Sequence, residues 1–301
     1  MSSTMLQLVQ QATGEMGLNV PTYVAGNTQQ DVVQQLALLN ACGREISRAY
    51  IWQALAKQNL ITVSYTSITG DTVSGSSSLT NCSSISGIDT TYQISGSGIN
   101  QATYVASAPS GSTITLSQPA TSTNTGATYT LGKVKYSMPS DYDRQIDRTH
   151  WDKSKHWEML GPETAQQWEW LISGYISTGP RIRYRIFQSY FQIWPLVTTA
   201  EVLGFEYISN GWVNNAAGTA KTSFTDDTDT CIFPDNLMVL ALKKKYFEVK
   251  GFDAGAFTRD YTTEMSIAKA NDGGSLTLSM NPRISTILIG WEQIPDSNFG
   301  S

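Results

Sequence analysis

Apolar positions recur at helical spacing near both ends of the chain and alternate as in strands through its middle. In Thr4 to Gly17, Met5, Leu8, Val9 and Ala12 share one face, with capping hydroxyls before them and Gly17 after, which predicts a short helix. Val32, Leu36, Leu39, Ile46 and Tyr50 predict a longer one from Thr28 to about Lys57. Gly43 lies inside it at a cost of ~1 kcal/mol relative to Ala, and two readings stand, a close helix crossing or simple tolerance. Trp52, near its end, is expected to anchor the core. Towards the other end, Asp235 is expected to cap a helix lined by Leu237, Leu240, Ala241, Tyr246 and Phe247; Gly251 and Gly255 interrupt it before Ala256 to Ala270 resumes.

Between these ends the period is two. Residues 64–132 are more than half Ser, Thr and Gly, hold no Trp and carry only Asp71 and Asp89 as charges. Short alternating runs at Tyr92–Ile94, Thr103–Val105, Thr113–Leu116 and Thr128–Leu131 favour four to six strands packed as a small sandwich over a disordered linker. The unit leaves and rejoins at strand ends, Leu60–Val63 and Lys133–Met138, which predicts a hairpin whose tip has grown into a domain. Arg181 to Ile186 alternates arginines with Ile182, Tyr184 and Ile186; with Tyr190–Trp194 and Val202–Ser209 it predicts an antiparallel meander.

One stretch joins these regions. Tyr136 to Leu171 holds four of the eight tryptophans and both histidines. It predicts a strand, an acidic turn and, after Gly161-Pro162, an amphipathic helix, with Trp151, Trp157 and Trp168 as core anchors beside Trp52.

Composition narrows the function. A chain of 301 residues needs no disulfide or metal to hold a core, and Cys42, Cys82 and Cys231 are too few and too scattered for a zinc ribbon, which suits a reducing compartment. A net charge of −5 argues against a nucleic-acid-coating protein. Neither a signal peptide nor a run approaching the ~18 apolar residues of a membrane span is expected.

Candidate chemistry is sparse. His150 and His156 lack partners for a metal site. Asp141, Asp143, Asp147 and Asp152 could pair for glycosidase chemistry, but a polar turn is acidic anyway. Asp226, Asp227 and Asp229 lack the glycine and distal glutamate of a calcium loop. Neither a P-loop, a Rossmann fingerprint nor a nucleophile elbow appears. The expectation is no enzyme, no catalytic residues and no cofactor or metal. Lys243, Lys244 and Lys245, and the face formed by Arg181, Arg183 and Arg185, fit either phosphates lining a DNA passage or a neighbouring subunit.

Four ordered blocks, LQLVQQATGEMGL…VAGNTQQDVVQQLALLNACGREISRAYIWQAL, KVKYSMPSDYDRQIDRTHWDKSKHWEMLGPETAQQWEWL, RIFQSYFQIWPLV…FEYISNGWV and FTDDTDTCIFPDNLMVLALKKKYFEVKG, resemble the head-to-tail adaptor (connector) proteins of tailed bacteriophages. The resemblance covers most of the chain outside 64–132. It implies an α+β fold, with a helical-bundle adaptor core and a small antiparallel β-region over 1–63 and 133–274, an inserted all-β module over 64–132 and a C-terminal arm over 275–301. It also implies a structural virion protein at the head–tail junction, a homo-oligomeric ring of twelve bound to the portal and to a tail nozzle or tail-tube protein, with double-stranded DNA passing through and no membrane. Ile287, Leu288, Ile289, Trp291 and Ile294 would dock the arm on the portal. The inserted module departs from the minimal adaptor and could meet capsid or fibre. The alternative is a carbohydrate-binding tail or fibre protein acting through Tyr92, Tyr104 and Tyr129 of that module.

Overall fold

The structure is a computed structural model and describes residues 2–173 and 181–273. Its helices are α1 (Met5–Glu15), α2 (Gln30–Ala49), α3 (Ala165–Ile172), α4 (Asp235–Lys250) and α5 (Gly255–Gly273). The strands are antiparallel and fall into several separate sheets. The architecture is therefore mainly β with a helical layer, not a helical bundle carrying a small β-region. The expectation failed because many strands are too short to show a period: Trp151–Asp152 and Trp157–Glu158 are two residues each.

The helical layer follows the sequence closely at its starts. Thr4 and Gln7 form a reciprocal capping box on α1, and Thr164 and Gln167 repeat it on α3, so two orphan donors are satisfied at each end. Pro234, not Asp235, precedes α4; the Asp235 carboxylate instead accepts from the backbone of Ser3 at 2.9 Å. Gly251 ends α4 in the left-handed conformation at φ 76°. Helix α2 stops at Ala49, short of Lys57, because Trp52 turns back and its indole N–H donates to the carbonyl of Ile46 at 2.7 Å. That contact satisfies a terminal carbonyl and buries Trp52, and Lys57 falls in the strand Ala56–Thr62.

Two sheets face each other beside the helices. The strand Val202–Ser209 is flanked by Ala56–Thr62 on one edge and by Tyr142–Gln145 and Trp151–Asp152 on the other. The second sheet orders Arg183–Phe187, Tyr190–Trp194 and Lys135–Ser137. Val202–Ser209 thus leaves the expected meander for the opposite layer. Leu203, Phe205 and Tyr207 from one sheet meet Tyr184, Phe191 and Ile193 from the other, as period-two alternation requires.

The inserted unit has its own core of Ile68, Leu79, Ile94, Ile114, Tyr129 and Leu131. Its six strands run in the order Thr103–Tyr104, Tyr92–Gly96, Asn124–Lys133, Tyr65–Thr72, Ser78–Thr80, Ile114–Thr115. The first and last meet: Val105 bridges Leu116, the Ala106 N–H donates to Thr115 at 2.8 Å and the Ser117 N–H to Tyr104 at 2.8 Å. One sheet thus curls until its edges join, making a small barrel where a sandwich was expected. The chain enters and leaves side by side, with Tyr65 opposite Gly132, but the flanking strands Ala56–Thr62 and Lys135–Ser137 belong to different sheets, so they do not form a hairpin.

Candidate functional site

The acidic turn at the start of Tyr136–Leu171 acts as a brace. Asp141 accepts from Lys57 Nζ at 2.6 Å, from the Tyr207 hydroxyl at 2.8 Å and from the Ser209 hydroxyl at 2.8 Å. Burial alone would raise its carboxyl, but these hydrogen bonds outweigh it and hold the group below the usual carboxylate range. Its contribution to stability is complete above that range and lost only as pH falls through its lowered value. Asp141→Ala should cost ~2–4 kcal/mol in denaturant unfolding at neutral pH, the scale of lost hydrogen bonds to a charged group.

The four aspartates do not converge. Asp143 pairs with Arg144 at 3.4 Å, and Asp147 accepts from the Gln145 amide at 3.0 Å. Asp152 is buried beside Glu201; burial and then the Glu201 charge raise its carboxyl. Burial would raise Glu201 too, but Lys155, at 2.6 Å, and Thr199 donate to it and keep it ionised. The two neighbouring acids are thus pushed in opposite directions, Asp152 up and Glu201 down, which eases their proximity.

His150 and Tyr184 border a cavity of about 410 Å³, with Asp147, Arg148 and Glu158 also on its wall. The imidazole stacks on Tyr184 at 4.1 Å and on Phe205 at 5.2 Å between ring centres, and its Nδ1 lies 3.0 Å from the Tyr184 hydroxyl. Burial pushes its pKa down to about 4, so the ring is neutral at pH 7. Nε2 is sealed from solvent without a hydrogen-bonding partner. Stacked between aromatic rings and neutral at pH 7, the histidine is held as part of the packing between the two sheets. His156 lies exposed in the turn between the paired strands Trp151–Asp152 and Trp157–Glu158.

The other candidates are occupied inside the chain. Asp227 accepts from the backbone of Val24 and Ala25, and Asp229 from the backbone of Thr225 and Asp226 and from Lys221 at 2.7 Å, so the acidic loop ties the N-terminal segment to the body. Among the described residues no group of three or more His, Cys, Asp or Glu could hold a metal ion, and no helix is long and apolar enough to cross a membrane. Burial pushes the thiols of Cys42 and Cys231 up to about 12, which suits inert core cysteines.

The basic residues split. Lys243 pairs with Glu15 at 2.7 Å and Lys245 with Glu45 at 2.5 Å, linking α4 to α1 and α2, while Lys244 pairs within α4 with Glu248 at 3.8 Å. Arg183 pairs with Glu163 at 2.6 Å, and Arg185 lies over the rings of Trp168 and Phe187. Arg181 is exposed.

Among the tryptophans, Trp52 and Trp168 are buried and Trp151 is half-buried. Trp157 is 41% exposed on the edge strand Trp157–Glu158, so it is not a core anchor. Tyr129 fills the barrel core with its hydroxyl 3.1 Å from that of Thr72, and Tyr92 and Tyr104 are half-buried. None of the three is the exposed platform expected. Ile287, Leu288, Ile289, Trp291 and Ile294 lie outside the described residues.

Sequence reasoning missed Trp212. It is 1% exposed and lies over Gly43, between Phe224 at 5.2 Å and Phe233 at 6.1 Å. Its partner Gly43 lies in a distant helix, so no local pattern announces the contact. No protein-family model and no curated protein matches the chain.

Proposed function

We propose that the chain is a structural, non-enzymatic component of a tailed-bacteriophage particle, a head-to-tail adaptor that forms a ring between portal and tail. The observation supporting this reading is that the four ordered blocks of the resemblance pack as one body. Trp212 of the third block covers Gly43 of the first and contacts Phe224 and Phe233 of the fourth, while Arg144 of the second donates to the Tyr50 carbonyl of the first at 2.8 Å. Asp141, Asp227, Asp229, Lys243 and Lys245 are engaged in internal bracing, as suits a load-sharing subunit. Identical subunits would meet through unlike faces, the arrangement that closes a ring.

The test is on particles. Mass spectrometry of purified virions should find the chain, and cryo-electron microscopy should place it as a ring at the head–tail junction. A chain ending at Gly274 should keep its thermal transition yet fail to join particles, as expected if residues 275–301 dock on the portal. Absence of the full chain from particles overturns the proposal.

A further inference from the structure

A cleft of about 370 Å³ opens where the barrel meets the body, with Tyr104 and Ser117 on the barrel side and Lys135, Gln188, Tyr190 and Gln192 on the body side. Its walls are the barrel and the hairpin Arg183–Phe187/Tyr190–Trp194, regular elements that hold side chains in place without a ligand. Its chemistry is hydroxyls, carboxamides and two phenol rings. No carboxylate lines it, and its ammonium, Lys135, sits 5.2 Å from the centre of the Tyr104 ring.

Several of these groups are already oriented with hydrogen-bonding capacity to spare. Gln192 accepts from Arg185 Nε at 2.9 Å through its carbonyl, which fixes the amide and leaves its NH2 group as a donor. The Ser117 hydroxyl accepts from the Tyr104 N–H at 2.9 Å and keeps its own proton to give.

The hairpin tip adds an independent observation. Phe187 pairs with Tyr190, so Gln188 and Ser189 make a two-residue turn, and both are left-handed, at φ 51° and 61°. Asn-Gly is the usual solution for such a turn, and a side-chain-bearing residue there is strained. Glycine at the first position would relieve the strain and would also remove the Gln188 side chain from the cleft.

We propose that this cleft binds a sugar ring of a polysaccharide, neutral or acidic. A ring with hydroxyls around its edge and an apolar face matches the free donors of Gln192 and Ser117 beside tyrosine. The absence of carboxylates disfavours a cationic ligand, and Lys135 accommodates a uronate. The proposal is independent of where the chain sits in a particle.

The experiment is saturation-transfer NMR on the full chain with maltotriose, chitotriose and trigalacturonate at millimolar concentration. At least one should receive saturation. Gln188→Gly should raise the thermal midpoint while weakening that binding by about tenfold, the scale of one well-placed polar contact. Tyr190→Ala should weaken it as well. If trigalacturonate alone binds, Lys135→Ala should abolish the signal. Lack of saturation on all three oligosaccharides, or binding unchanged in Gln188→Gly, overturns the proposal.

Discussion

Gly43→Ala should destabilise the protein, although alanine is the better helix former by ~1 kcal/mol. A Cβ at Gly43 would stand 2.0, 2.3 and 2.4 Å from three carbons of the Trp212 indole, where real contacts stay beyond 3.0 Å. The indole cannot retreat freely, since Phe224 meets it edge-on and Phe233 lies nearly parallel to it. Overpacking of this kind costs ~1–3 kcal/mol and should exceed the helix gain. Trp212→Ala should cost more, ~3–5 kcal/mol, because it empties a large buried site. The Gly43→Ala/Trp212→Phe pair should recover part of the loss, so a double-mutant cycle in denaturant should show strong coupling. Additive losses would show that the two residues do not share this contact.

The second large effect is in pH. His150 titrates near 6.5 when unfolded and is pushed down to about 4 by burial in the fold. The unfolded chain therefore binds the proton first, and stability contributed by the neutral ring is full above pH ~6.5 and lost as pH falls towards ~4. A shift of that size corresponds to roughly 3 kcal/mol. His150→Phe keeps the aromatic stack with Tyr184 and Phe205 but cannot take up a proton. It strands the Tyr184 hydroxyl and so should begin less stable at neutral pH. Its unfolding free energy, followed by urea titration at successive pH values, should then fall less steeply with acid than that of the unaltered chain. Parallel curves would mean that the imidazole is not held neutral.

Much of the helical layer was legible because its signals are local. Thr4 with Gln7, and Thr164 with Gln167, announce helix starts within three residues, and Gly251 announces a stop. The end of α2 was not, since Trp52 and Leu55 continue an apolar pattern and only the folded chain shows the indole bonding back to Ile46. The short strands around His150 have too few residues for a period. The insertion's β character was readable from its alternation, whereas its closure depends on Val105 meeting Leu116 across the sheet.

The candidate site was legible in composition and not in arrangement. The lysine run on α4 is obvious as charge, but its partners Glu15 and Glu45 lie some two hundred positions earlier. The density of Asp around Asp141 reads as an ordinary acidic turn; only the register that brings Lys57, Tyr207 and Ser209 to one carboxylate identifies a brace. Gly43 left a helix crossing and simple tolerance open, and neither describes it: what packs on it is the indole of Trp212, a residue outside any helix.

The barrel's attachment has a mechanical consequence. Its two longest strands, Tyr65–Thr72 and Asn124–Lys133, return to the body from the same end, with Tyr65 beside Gly132, and Leu196 of the body packs closely against Gly132. A pull on the far end of the barrel is thus divided between two covalent tethers under parallel tension, without first unzipping the hydrogen bonds between them. Twisting works against the separation of the tethers and the wedge at Leu196. The barrel is mounted as a stiff bracket rather than a pendant on a swivel, and a force applied there is transmitted directly into both facing sheets.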